Sequence, residues 1–245
     1  MAHVPLILNP DKTKLSKRQA DISTEDYLKK GYLKEALFNF MALLGWNPGE
    51  GVDKEIFSKD EFVELFSIER VNSAGAVFNI DKLNWFNSEY IKNYDLTELT
   101  KLSVPYLEAA GYDISNSSKN ERAISAARNY INKLDEIAEQ TKIYYTDKIN
   151  LSDEQSEIIT NDSSKQVLTA LISKIKALSE ITNDNLKPVL NEIQKETGVK
   201  GKALFQPVRL ALTGEEHGPE LGVVAYVLGK DEVLKRINKL LNNEI

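Results

Sequence analysis

The feature that most restricts what this chain can fold into is its punctuation. A serine is repeatedly followed, three residues on, by a carboxylate or an amide: Ser23…Asp26, Ser58…Glu61, Ser118…Glu121 and Ser152…Gln155. At that spacing the serine oxygen can accept the N–H of the third helical residue, whose own side chain reaches back to the serine N–H. Between such starts and the glycines that follow them, apolar residues recur every three or four positions. Leu33, Leu37, Phe40, Met41 and Leu44 fall on one helix face in this way. The pattern predicts a short helix from Ser23 stopping at Gly31, and further helices over 33–44, 60–66, 81–91 and 97–110. The longest helix is expected over 119–145, with others opening at Ser152 and Ser163 and running over 185–197, 202–212, 220–228 and 231–241. Pro105 is expected to kink its helix. Only residues 4–8 look like a strand. An all-α array of small bundles is the architecture these signals share. Asn116-Ser117-Ser118 and Asn161-Asp162-Ser163-Ser164 are the best candidate boundaries.

Composition removes several chemistries. The 245 residues include no cysteine, which excludes disulfides, thiolate nucleophiles and cysteinate metal centres. With two histidines, His3 and His217, a histidine-rich metal centre is excluded and a Ser–His–Asp triad has few ways to be built. No metal site is expected. The apolar run over 36–46 is too short to span a bilayer, and no basic-then-apolar secretory segment opens the chain. A soluble cytoplasmic protein, without membrane partners, is the expectation. The net charge of −6 is uneven: residues 1–34 carry +3, residues 196–245 are neutral, and the middle carries −9. An acidic total opposes a non-specific nucleic-acid coat. It leaves room for a specific binder whose basic residues sit at the two ends.

The first candidate site is Lys14-Leu15-Ser16-Lys17-Arg18. Clustered cations and a hydroxyl on a loop can follow a transferring polyphosphate and neutralise its growing charge. The same composition also describes a solvated basic loop. The second lies near the C-terminus, where Gln206, Arg209 and Thr213 share one helical face and Leu204, Val208 and Ala211 the other, with Leu210 intruding on the polar side. An arginine fork and an amide can read base edges of unpaired nucleotides. An amphipathic surface helix would show the same pattern. Trp46, Trp85, Phe86 and Tyr90 are expected in the core rather than stacked on bases. His3 is expected to pack at the base of the basic loop, and His217 lies in a loop beside the second candidate surface.

The order of these residues carries more. Lys14-Leu15-Ser16-Lys17-Arg18 resembles the Lys-Met-Ser-Lys-Ser loop of class I aminoacyl-tRNA synthetases. Ala2-His3-Val4-Pro5-Leu6-Ile7-Leu8 before it, Gly31-Tyr32-Leu33-Lys34-Glu35-Ala36-Leu37 after it, and Phe78-Asn79-Ile80-Asp81-Lys82-Leu83-Asn84-Trp85 resemble bacterial glutamate–tRNA ligases, with Asn79 where that family has Asp. So do Leu204-Phe205-Gln206-Pro207-Val208-Arg209 and Gly218-Pro219-Glu220-Leu221. The resemblance runs in order along essentially the whole chain.

It implies a stem-contact helical domain with the basic loop over residues 1–95, followed by two small helix-bundle anticodon-binding subdomains over 96–160 and 161–245. It implies that Lys14, Leu15, Ser16, Lys17 and Arg18 belong to an ATP-binding loop, and that Gln206, Arg209, Gly218, Pro219 and Leu221 form an anticodon-reading surface. Many members place in the long helix an arginine that helps read the last anticodon base. An ungapped count puts that position at Tyr130, with Arg128 two residues earlier and on a different face. Arg128 therefore stands either as a weaker anticodon candidate or as a plain surface residue with Tyr130 packed between helices. Members lacking that arginine often accept glutamine tRNA as well. The parent enzyme uses ATP and Mg²⁺ to make glutamyl-adenylate. The family's His-x-Gly-His motif is absent here, no catalytic set is complete, and the sequence reads as a chain starting mid-pattern, upstream of the signature loop. The expectation is a monomer that binds glutamate tRNA, and not DNA, with no bound cofactor and no activity alone. A module that binds RNA without anticodon preference is the competing expectation.

Overall fold

The computed structural model describes residues 6–15, 23–146 and 149–242. Among these, thirteen α-helices and one two-stranded sheet form, so the all-α expectation holds. The contacts gather the chain into two compact units, Met1–Ala110 with Ala127–Gln140, and Gly111–Ala126 with Thr141–Ile245. The boundaries expected at 95/96 and 160/161 are not those of the compact units, between which the chain passes at 110/111, 126/127 and 140/141.

In the first unit β1 (Ile7–Leu8) pairs in parallel with β2 (Ala76–Val77), Ile7 opposite Ala76 and Leu8 opposite Val77. A parallel pair needs a long crossover. Here it carries α1 (Thr24–Lys29), α2 (Lys34–Gly45) and α3 (Lys59–Leu65). The capping boxes at Ser23 and Ser58 form as the spacing requires. After β2 come α4 (Ile80–Asn93), capped by the Asn79 side chain, and α5 (Leu96–Ala109), capped by Asp95. α2 and α4 enclose an aromatic-rich core in which Phe40 meets Phe78 and Phe86 edge-on, 5.2 and 6.1 Å between centroids. Edge-to-face geometry lets each ring's positive rim meet its neighbour's negative face.

Two buried polar connections fix this unit. The fully buried Asn87 amide accepts from Leu33 N–H at 2.8 Å and donates to the Asn132 carbonyl at 2.6 Å. Gly31, at φ 86°, presents its carbonyl to Leu134 N–H at 3.0 Å; a Cβ there would lie 2.5 Å from that nitrogen.

Those connections explain a departure from expectation. The helix expected over 119–145 is not continuous. It forms as α6 (Ser117–Ala127), 3-10 turns at Arg128–Tyr130 and Leu134–Glu136, and α7 (Ile137–Tyr145). Ile131 and Lys133 are extended, because the backbone groups around them bond outside the helix: Asn132 O to Asn87, Leu134 N to Gly31, Asn132 N to the Glu136 carboxylate. Helical periodicity persists through the break, so the pattern alone does not reveal it.

The second unit contains α8 (Asp153–Thr160), α9 (Asp162–Ala177), α10 (Leu186–Thr197), α11 (Lys202–Thr213), α12 (Leu221–Leu228) and α13 (Lys230–Leu241). α9 is the central element, packed against α10, α11 and α13. Leu171, Ile175, Leu190, Leu204, Val224 and Ile237 are among its buried apolar residues. One charge sits inside. Arg236, 4% exposed, donates to the carbonyls of Ile143 at 3.0 Å, Thr146 at 2.8 Å and Leu212, and to Glu232 at 3.1 Å. It satisfies the last carbonyls of α7 and α11, which no intrahelical N–H can reach. Among the described residues no helix is long and apolar enough to cross a membrane.

Candidate nucleic-acid interface

The candidate residues fall on two surfaces, one in each unit. In the first, the chain leaves β1 and turns back at once. Asn9 N–H donates to Thr13 O at 2.8 Å, Lys12 N–H to Asn9 O at 2.9 Å, and Leu15 N–H to Ile7 O at 3.0 Å. Lys14 bridges back to Leu8. Side chains tighten the turn: the Asp11 carboxylate accepts from Thr13 N–H and Oγ1, and the Asn9 amide donates to Thr13 Oγ1. The Thr13 hydroxyl and amide hold the Asp11 carboxyl below its ordinary value. Lys12 and Lys14 are exposed and make no ion pair among the described residues. A pocket of about 370 Å³ lies beside the turn, lined by Leu15, Tyr27, Phe78, Asp81 and others. Ser16, Lys17, Arg18 and His3 lie outside the described residues.

The second surface is built on α11 and the loop after it. Gln206 and Arg209, one turn apart, are both half-buried. Arg209 Nη1 donates to the Pro219 carbonyl at 2.9 Å. Nearer the start of the loop, Thr213 Oγ1 accepts from Glu215 N–H at 3.1 Å and donates to Arg209 O at 2.8 Å. α11 ends at Gly214, φ 74°, where a Cβ would lie 3.1 Å from the Ile149 side chain. The 214–220 loop is therefore tied to α11 at both ends. Gly218, exposed, lies against the Arg209 guanidinium, which a Cβ there would approach to 3.6 Å. Arg209 Nε and Nη2 and the Gln206 amide make no hydrogen bond among the described residues and remain as donors and an acceptor. Partial burial lowers the Arg209 pKa from its ordinary value; a guanidinium stays charged regardless. His217 is exposed in the same loop.

Not every expected residue is placed to serve this surface. Leu221, 7% exposed, packs into the core of the second unit, so its side chain is not presented to a ligand. Arg128 belongs to the first unit, not with Arg209. Its Nη2 donates to the carbonyls of Ile91 and Tyr94, both at 2.6 Å, and its Nε to Ile91 at 3.2 Å. It caps the C-terminus of α4, where the helix dipole favours a cation. Burial lowers its pKa against the opposing pull of Asp95. Tyr130, pictured as packing between helices, is 70% exposed. Trp46, Phe86 and the half-buried Tyr90 belong to the interior as expected, whereas Trp85 is 42% exposed. Among the described residues no group of three or more His, Asp or Glu could hold a metal ion.

Sequence reasoning missed Arg236 and Lys12. The Glu232/Arg236 spacing was readable as an i,i+4 pair, but the carbonyls that bury Arg236 come from distant helices. For Lys12 the signal was the turn itself, Pro10-Asp11-Lys12, where turn chemistry favours glycine last.

A small helical bundle that presents an arginine–glutamine face beside a tethered loop is the kind of module that reads unpaired RNA bases. The family model "Anticodon binding domain" matches residues 98–241, more than half of the chain, and the chain belongs to that family. The model "tRNA synthetases class I (E and Q), catalytic domain" matches residues 1–85. Among similar curated proteins, the glutamate–tRNA ligase 1 of Caldicellulosiruptor saccharolyticus is 42% identical over 242 residues, covering 96% of this chain and 50% of that protein. The glutamate–tRNA ligase of Carboxydothermus hydrogenoformans is 39% identical over 246 residues, covering 98% and 51%. A crystal structure of a glutamate tRNA ligase from Elizabethkingia meningosepticum, in complex with its amino acid, superposes with a TM-score of 0.79 at 26% identity, covering 98% of this chain and 51% of that one. The chain thus spans about half the length of the curated relatives it matches.

Proposed function

We propose that this chain is the stem-contact and anticodon-reading part of a glutamate–tRNA ligase, an enzyme of the cytoplasm that joins glutamate to its tRNA through an ATP-derived adenylate. The observation that carries the reading is Arg209. Its Nη1 fixes the loop at Pro219 while Nε and Nη2 stay available next to Gln206. A fixed fork of donors beside an amide is suited to the edges of splayed bases. Gly218 and Pro219 would shape the same surface, with residues 96–160 and 161–245 as the two anticodon-binding subdomains and residues 1–95 contacting the stem. Leu221 would support that surface from the core.

Lys14, exposed and without an ion pair among the described residues, sits on a tightly bonded turn and fits an anionic ligand. In the whole ligase, ATP supplies the activated phosphoryl link to glutamate, and Lys14, with Leu15, Ser16, Lys17 and Arg18, would neutralise and position its phosphates. Mg²⁺ belongs to the parent enzyme in this reading, and among the described residues no cluster of carboxylates could hold it. The partner is glutamate tRNA, with glutamine tRNA a second acceptor where discrimination at the last anticodon base is relaxed. The chain acts as a monomer, and binding without catalysis is its activity alone.

A titration at one fixed salt concentration tests this, using a glutamate tRNA transcript beside the same transcript with its anticodon exchanged. Tighter binding of the native anticodon is the expected result. Equal binding would replace anticodon reading with recognition of shape and phosphate. ATP–pyrophosphate exchange by this chain above a Lys17→Ala control would overturn its inactivity alone.

A further inference from the structure

Lys12 is, among the described residues, the only non-glycine with positive φ, at 66°. The turn that holds it is otherwise made of fitting residues. Pro10 and Asp11 occupy its centre, and Lys12 N–H closes it onto Asn9 O at 2.9 Å. In a hairpin of this kind the residue after the turn adopts the left-handed conformation, which glycine takes without steric cost and a lysine does not. Asn9 and Asp11, through Thr13, bind the turn closely enough to keep Lys12 in that conformation. Strain retained in an over-determined segment is an indicator of use.

Among the described residues the exposed Lys12 side chain has no hydrogen-bond or ion-pair partner. The neighbouring carboxylate, Asp11, is turned to Thr13 N–H and Oγ1. Lys14, also exposed, lies two residues on, and the sequence continues to Lys17 and Arg18. A second ammonium on the same short turn, held at a fixed place by a strained backbone, suits a ligand carrying several phosphates.

We propose that Lys12 is a phosphate-binding residue, extending the basic loop one turn upstream and engaging either the RNA backbone or the polyphosphate of a nucleotide. Its role does not depend on anticodon reading. Three variants of the full chain separate backbone from charge. Lys12→Gly removes both the ammonium and the strain, Lys12→Ala removes the ammonium alone, and Lys12→Arg keeps a cation. Each is titrated across a salt series with two probes, a glutamate tRNA transcript and inorganic tripolyphosphate, and each is melted.

Lys12→Gly is expected to melt about 2–4 °C higher, yet to bind at least one probe about threefold or more weakly, with the salt slope shallower by about 0.7–0.9 for RNA. Lys12→Ala should bind as weakly without the gain in melting temperature, and Lys12→Arg should keep affinity and slope. Loss confined to RNA assigns a phosphodiester; loss confined to tripolyphosphate assigns a nucleotide. Unchanged affinity and slope for both probes in a more stable Lys12→Gly would overturn the proposal, as would a loss that Lys12→Arg shares. Failure of the parent chain to bind RNA would refute the function proposed above, while tripolyphosphate would still decide Lys12; binding of neither probe by the parent chain overturns both.

Discussion

Arg209 and Pro219 are joined by a 2.9 Å hydrogen bond from the guanidinium Nη1 to the proline carbonyl. Ten residues apart in sequence, they close the 214–220 loop onto α11. Proline lacks an N–H and cannot continue a ladder, so its carbonyl serves as a fixed acceptor. The bond uses one arm of the arginine and orients the other.

Replacing Arg209 by alanine removes both the Nε and Nη2 donors proposed to read a base and the Nη1 tether to Pro219. Binding of tRNA with its native anticodon should weaken by about 1–3 kcal/mol for a lost base contact. Binding of the exchanged anticodon should change little. Circular dichroism should show the helices intact, since Arg209 is half-buried and outside the apolar core. Equal losses for both RNAs would make Arg209 a phosphate contact.

Arg128 should behave oppositely. Its bonds to Ile91 and Tyr94 serve the end of α4, so Arg128→Met should lower stability to urea by roughly 2–3 kcal/mol. The preference between native and exchanged anticodons should be unchanged. A loss of that preference in the folded variant would return Arg128 to the recognition surface.

These two arginines show where the sequence was informative. The helix starts at Ser23, Ser58 and Ser152 were legible because a capping box is local: four consecutive residues contain both hydrogen bonds. Gln206 and Arg209 were legible as one face because helical spacing is also local. Arg128 could not be assigned from sequence, because the carbonyls it caps are more than thirty residues away. Nor could the interruption between α6 and α7, which exists because Asn87 and Gly31 draw backbone groups out of the helix. Leu221 was misplaced for the same reason: only the packed second unit shows that the first residue of α12 faces inward.

Gly31→Ala tests that tertiary origin. The added methyl would meet the Leu134 backbone at 2.5 Å, at a φ of 86° that side chains disfavour. Backbone cannot yield as a side-chain tip can. A loss of about 2–4 kcal/mol is expected, with hydrogen exchange fastest at Leu134 and around Asn87. A variant as stable as the parent would mean that the Gly31–Leu134 approach is not what divides the two helices.

Glu232 should make the second unit acid-sensitive. Partial burial raises its pKa, but hydrogen bonds and charge from Arg236 and Lys235 outweigh that, and its carboxyl lies below the ordinary 4.5. The folded state thus holds this proton less tightly than the unfolded chain does. Its contribution to stability is present above pH 4.5 and is lost as pH falls through the folded-state value. Protonation removes the anion that Arg236 Nε meets at 3.1 Å. The buried guanidinium, which also grips Ile143, Thr146 and Leu212, then loses its counter-charge. Melting temperatures of the parent and of Glu232→Gln should therefore differ most at pH 5 and above, the parent being the more stable, and converge as the pH drops below 4.5. A gap that stays constant with pH would mean that the carboxylate's charge plays no part in holding Arg236.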